Sequence, residues 1–266
     1  MIGGRDLLPR VASAIVLAAI AILGAWLGGI ATAILVAVAA GIVHLEWTGV
    51  TEGSQRAALP FSVLIAVVML VAGIGEVEIA AGVAVAAAVA AGVTGPRPWR
   101  PAGVFYAAVF GLALLILREG DLGLAAIAFV FAVVWATDIG AYFAGRAIGG
   151  PKLWPAVSPK KTWAGAIGGL VAAVIAGLAT AAVVGLPLAG ALVIVIVVMS
   201  VAGQAGDFFE SFIKRRFGVK DSGTIIPGHG GMMDRVDGLV FAAAVAVLIG
   251  FLHSGATDVA RGLISW

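Results

Sequence analysis

Residues 211–237, SFIKRRFGVKDSGTIIPGHGGMMDRVD, form a charged, glycine-rich block in a chain that is elsewhere almost continuous hydrocarbon. From residue 207 onward the acids Asp207, Glu210, Asp221, Asp234 and Asp237 intermingle with the bases Lys214, Arg215, Arg216, Lys220 and Arg235, and His229 stands among them. A few carboxylates to hold a divalent ion, with Lys and Arg to neutralise phosphates, are the usual equipment of phosphoryl and nucleotidyl transfer. The turn PGHGG at 227–231 adds glycines that tolerate positive φ and let backbone amides approach a phosphate, so Gly230 and Gly231 join the candidate binding residues. Asp234 and Asp237 follow at i, i+3, where a helix can begin. The chain has no cysteine, so any metal must be held by oxygen or imidazole, which favours magnesium, calcium or manganese. It also lacks the GxxxxGK(S/T) phosphate loop, which argues against a soluble-type NTPase engine.

Other polar residues stand at the edges of apolar runs. Asp207 and Glu210 share a helix face at i, i+3, and Lys214 falls at i+4 from Glu210, so Glu210 reads equally as an ion-pair partner or as a functional group. Asp207 emerges first from a long apolar run with no basic residue close behind, and reads as a ligand for metal or substrate. Asp138, in VFAVVWATDIGAYFAGR, lies within or at the inner end of a helix. An ionisable group there is costly and marks a functional site by default; the alternative is an interfacial Asp paired with Arg146. The segment VSPKKTWAG at 157–165 puts Lys160, Lys161 and Thr162 at the opening of an apolar helix, a ready anion site. Positive-inside anchoring, with Trp163 at the interface, explains the same lysines without a ligand. His44 and Glu46, in GIVHLEW, either face a cavity or cap the inner end of the second apolar run, the capping role being favoured, and His253 reads as structural.

The elements that must position these residues are membrane helices. A composition 62% apolar and only 11% charged, with mean hydropathy +1.15, excludes a soluble globular domain, which carries about 25% charged residues. The expected fold is all-α: one polytopic integral membrane domain over residues 1–266, with polar loops at about 145–164 and 207–237. A span needs roughly 20 apolar residues. Residues 11–43 therefore hold two, turning at Gly28 and Gly29, and residues 163–206 hold two more, parted near Gly185 and Pro187. Single spans at about 58–75, 77–95, 101–118, 121–144 and 237–253 bring the expectation to nine. With the N-terminus inside, all of the 16 Lys and Arg except Arg118 and Arg261 fall on the inner side, as the positive-inside rule requires. The first apolar run continues into a second, so it reads as an anchor and not as a cleaved leader. The pI near 9.2 speaks to topology and anionic lipid, and no nucleic-acid partner is expected.

The block from Ser211 through Lys214, Arg215, Lys220, Asp221, Gly223, Pro227, His229, Gly230, Gly231, Asp234 and Arg235 to Asp237 resembles the signature of the phosphatidate cytidylyltransferases (CDP-diacylglycerol synthases). TDIGAYFAGR around Asp138, SPKKTWAG and GQAGDFFES look like that family's other recurrent segments. The resemblance implies the reaction CTP + phosphatidate giving CDP-diacylglycerol + diphosphate, dependent on Mg²⁺, at the cytoplasmic face of a multi-pass inner-membrane protein. It implies a two-metal centre with Asp207 and Asp234 as the main ligands and Asp221 and Asp237 as helpers. Lys214, Arg215, Lys220 and Arg235 would neutralise phosphates of nucleotide or lipid, joined by Lys160 and Lys161 from the other loop, with Thr162, His229, Gly230 and Gly231 at the substrates. Asp138 is one of several candidates to accept from the cytosine amino group. Two rivals remain: a CTP-dependent polyprenol or phytol kinase, which would release CDP instead of diphosphate, and a secondary transporter, which also places carboxylates in broken helices. Acyl preference and oligomeric state stay open, a homodimer among the alternatives.

Overall fold

The computed structural model describes residues 7–53, 55, 58–94, 98–226 and 230–266. His229 and the charges of Arg5, Arg56 and Arg97 therefore lie outside the described residues. In chain order the elements are α1 (Leu7–Leu27), α2 (Gly29–Glu52), α3 (Leu59–Gly73), α4 (Val77–Thr94), α5 (Trp99–Arg118), α6 (Gly123–Ile148), β1 (Lys152–Trp154), β2 (Ser158–Thr162), α7 (Trp163–Val183), α8 (Gly190–Arg216), α9 (Met233–Ser254) and α10 (Val259–Ile264). Among the described residues seven helices are long and apolar enough to cross a membrane, namely α2 and α4 to α9, while α3 and the described part of α1 are shorter apolar helices. The chain is a largely helical, multi-pass membrane protein. The expectation of an all-helical chain needs one amendment, a two-stranded antiparallel hairpin of β1 and β2.

Two compact units divide the chain. One comprises residues 1–115 and 213–236, the other 116–212 and 237–266. In the first, Gly28 and Gly29 both take positive φ, which only glycine adopts without strain, and make the tight turn from α1 into α2. Thr32 Oγ1 donates to Gly24 O at 2.5 Å across that turn. The C-terminal half of α2 is unusually polar for a buried helix: His44, Glu46, Thr48 and Thr51 are all buried. His44 Nδ1 bonds Ser62 Oγ of α3 at 2.7 Å, Trp47 Nε1 donates to Trp99 O at 2.9 Å, and Arg100 grips Glu52 at 2.7 and 2.5 Å. Past α8, Gly218 turns the chain at φ +72 and Phe217 meets the edge of Trp99.

In the second unit, α6 and α7 pack through small residues. Gly165, Gly169, Ala173, Gly177 and Ala181 recur every four positions on the buried side of α7, while Trp163, Ile167, Val171 and Ile175 recur at the same interval on its exposed side. The backbones nearly touch: a Cβ on Gly169 would lie 2.6 Å from Thr137 O, and one on Gly140 would lie 2.8 Å from Gly168 O. Without a hydrophobic drive between helices in lipid, this close packing holds α6 to α7, and the Thr137–Ser200 hydrogen bond at 2.9 Å ties α6 to α8. Between α8 and α9 the same device recurs at Gly203, Gly206 and Gly238; a Cβ on Gly206 would lie 2.5 Å from Asp237 O. At the C-terminal end His253 stacks on Trp266 at 4.0 Å and donates from Nδ1 to Gly262 O at 2.8 Å.

Candidate functional site

The close crossing of α8 and α9 brings two carboxylates together within the second unit. Asp207 sits one residue past Gly206, and Asp237 one residue before Gly238, so the glycines that let the helices meet also set these side chains side by side. Asp207 Oδ2 forms an ion pair with Lys161 Nζ, and Ser211 Oγ approaches Oδ1 at 3.4 Å. Asp237 Oδ1 accepts from Gly238 N at 2.8 Å and feels the charges of Asp207, Asp138 and Lys161. Asp138 stands exposed on α6, ten residues before the helix ends, and therefore within the helix and not at its terminus.

Lys161 reaches this cluster because it lies on a strand. The sequence predicts Lys160, Lys161 and Thr162 at the opening of a helix, whereas residues 158–162 pair with β1 in the register Lys152 to Thr162 and Trp154 to Ser158. The helix begins one residue later. Thr162 is its N-cap, its hydroxyl accepting from Gly165 N at 3.1 Å, so that oxygen is engaged in ending the helix and not bare for an anion. Alternation along β2 turns Lys160 outward and Lys161 inward, where its ammonium lies 4.5 Å over the Phe208 ring. Trp154 of β1 meets the same ring.

The first unit holds the other half of the expected residues. Asp234, in the first turn of α9, is surrounded by donors. Oδ2 accepts from Ser222 N at 3.0 Å, Ser222 Oγ at 2.9 Å and Gly231 N at 2.9 Å, and Oδ1 accepts from Lys214 Nζ at 2.5 Å. Gly230 holds φ +81 and bridges to Ile226, whose N donates to Gly230 O at 2.9 Å. The amide of Gly231, expected to face a phosphate, is thus taken by a carboxylate of the protein. The side chains of Arg215, Lys220, Asp221 and Arg235 stand exposed, Arg215 turned back to Val219 O at 3.1 Å.

One residue of this cluster was read otherwise. Glu46 is fully buried on α2 and accepts from Met232 N at 2.9 Å, Met233 N at 2.7 Å and Ser222 Oγ at 3.2 Å. Its place six residues before the end of α2 rules out a capping role for that helix. The signal that marked Asp138, an ionisable group inside an apolar run, applied equally to Glu46.

Among the described residues no group of three or more His, Asp or Glu is arranged to close around a metal ion. The donor chemistry still distinguishes the two expected ligands. Asp207 takes the ammonium of Lys161 and the hydroxyl of Ser211 in the described contacts, which leaves carboxylate oxygen of the kind a hard divalent cation accepts, and Asp237 lies within its electrostatic reach. Asp234 already has about as many donors as a carboxylate has lone-pair sites.

The chain matches the cytidylyltransferase family over residues 8–253. It belongs to that family. It is 43% identical over 261 residues to the phosphatidate cytidylyltransferases of Brucella suis biovar 1 (strain 1330) and Brucella melitensis biotype 1, covering 94% of this chain and 95% of each relative. The phosphatidate cytidylyltransferase of Staphylococcus saprophyticus is 47% identical over 136 residues, 50% of this chain and 52% of that one. The polar clusters described above are therefore those of a cytidylyltransferase family member, and the transporter reading falls away.

Proposed function

We infer that this cytidylyltransferase transfers CMP from CTP to phosphatidate, giving CDP-diacylglycerol and diphosphate. The full-length likeness to relatives of that name carries the reading. The pairing of acidic and basic groups supports it. An oxygen of the phosphatidate phosphate attacks the α-phosphorus of CTP, the bond from that phosphorus to the β-phosphate oxygen breaks in line, and diphosphate leaves with the electron pair. Nucleophile and leaving group are both anions, so the chain must supply positive charge to bring them together. Lys161 in the second unit and Lys214 in the first each stand beside a carboxylate, and each unit also presents exposed cations to phosphate, Lys160 in the second and Arg215, Lys220 and Arg235 in the first. Their side chains neutralise phosphate; none needs to form a covalent intermediate, because the lipid phosphate is itself the nucleophile.

Mg²⁺, held by Asp207 with Asp237 and Asp138 nearby, would neutralise charge on the phosphates and fix their orientation. On the family resemblance Asp234 would be a metal ligand as well, in exchange for the ion pair that it makes with Lys214. His229, Gly230, Gly231 and Thr162 are assigned to the substrate surface on the family resemblance alone. The finer topology belongs to the same reading: nine spans, the N-terminus in the cytoplasm and the polar segments at the inner face of the cell membrane, supported by the distribution of Lys and Arg.

The test is purified protein in detergent with labelled CTP, with and without phosphatidate and Mg²⁺. Diphosphate and lipid-linked CMP that both require phosphatidate are expected. Release of CDP would point to a kinase, and absence of lipid-dependent diphosphate would overturn the assignment.

A further inference from the structure

A carboxylate buried in a membrane helix is costly unless it is fully hydrogen-bonded, so its partners show what it is there to hold. Glu46 carries no ion pair in the described contacts; its three donors are a hydroxyl and two main-chain amides, all on the segment 222–233. Each carboxylate oxygen takes one amide, Oε1 that of Met232 and Oε2 that of Met233. These amides lie at the start of α9, immediately before Asp234. Ser222 then ties the two acids together, its hydroxyl lying 3.2 Å from Glu46 Oε2 and 2.9 Å from Asp234 Oδ2.

The glycines agree. A Cβ on Gly223 would lie 2.7 Å from Glu46 Oε1, and one on Gly231 would lie 2.6 Å from Oε2. Neither needs a left-handed backbone, since neither is among the glycines of positive φ. A side chain at either position would intrude on the carboxylate of Glu46, and at Gly231 on the hydroxyl of Ser222 as well.

We propose that Glu46 is a positioning residue for the transfer reaction: from α2 it clamps the loop before α9 and so fixes Asp234, and through Asp234 the ammonium of Lys214. It rests on the reading of Asp234 and Lys214 as groups that meet the substrates. A glutamine cannot replace it, because its NH₂ would face one of the two amides donor to donor.

Glu46→Gln, Gly223→Ala and Asp234→Asn are compared as full-length proteins, measuring kcat, KM for CTP and for phosphatidate, and thermal unfolding in detergent. Both Glu46→Gln and Gly223→Ala are expected to lower kcat by about 10- to 100-fold, as displacement of a reacting group by roughly 1 Å does, with both KM values within about twofold of the parent. Their double variant is expected to lose less than the product of the two, since both act on one contact. Wild-type kcat in a folded Gly223→Ala or Glu46→Gln protein, with Asp234→Asn inactive, would overturn the role of Glu46 alone. A kcat that falls only as the folded fraction falls would overturn it as well. Full activity of Asp234→Asn would instead remove the reading on which it rests. Should Glu46→Gln fail to fold, Gly223→Ala decides.

Discussion

Asp207 is the residue on which the proposed metal role rests most directly, since its charge is felt by Asp237 and balanced by Lys161. Asp207→Asn preserves shape and removes the charge, so it separates electrostatics from packing. Turnover is expected to fall by roughly 100-fold or more at saturating Mg²⁺ while thermal unfolding stays near that of the parent; near-normal Mg²⁺-dependent turnover would refute the metal assignment. The sequence made Asp207 legible because a carboxylate ending a long apolar run has few structural excuses. Its partner Lys161 was recognised but misplaced, since nothing in KKT distinguishes the first turn of a helix from a short edge strand that carries Pro159. Glu46 was passed over for a different reason. With several polar residues between His44 and Glu52, the inner end of α2 looks interfacial in one dimension, and only the fold reveals that Glu46 faces a loop 176 positions away.

At the scale of elements, glycine is what converts helices into a site. Gly206 and Gly238 let α8 and α9 cross closely enough for Asp207 and Asp237 to share an electrostatic environment, and Gly165 and Gly169 let α7 meet α6. The two contacts should respond differently to a methyl group. Gly177→Ala presses on Ile196 of α8 and Val133 of α6, about three turns before Asp207 and more than a turn before Asp138, so it should cost about 1–3 kcal/mol of stability and leave kcat of the remaining folded protein close to the parent. Gly206→Ala presses on Asp237 O itself and should lower kcat beyond its effect on stability. Thermal unfolding and kcat measured on the same preparations check both; equal loss of kcat in the two variants would show that the crossing has no special bearing on the reaction. The helices themselves were readable from apolar run length, and the turns at Gly28 and Gly185 from glycine and proline. The helix partners were not, because a run such as that of α7 has small residues on one face and branched aliphatic residues on the other, and lipid and protein offer both faces an apolar neighbour.

For the whole molecule the open question is how the chain threads the bilayer, and α3 decides it. Its 15 residues span about 23 Å at 1.5 Å per residue, less than the ~30 Å of hydrocarbon, so by length alone it is the weakest of the apolar helices. A short helix can still cross if the bilayer thins locally or flanking residues reach outward, at a cost of a fraction of a kcal/mol per Å. Charge argues that it does. If α3 failed to cross, every later segment would change sides, and the cluster from Lys214 to Arg235 would part from the N-terminal arginines and lie outside, against the positive-inside rule. The absence of cysteine makes the experiment clean, since each introduced thiol is the only one in the chain. Glu76→Cys between α3 and α4, and Leu188→Cys between α7 and α8, should react with an impermeant maleimide added outside intact cells, whereas Lys160→Cys and Lys220→Cys should react only after permeabilisation. Labelling of Lys160→Cys and Leu188→Cys from one side would exclude α7 as a crossing helix; protection of Glu76→Cys would exclude α3, and with it the placement of the polar clusters at the inner face where CTP is found.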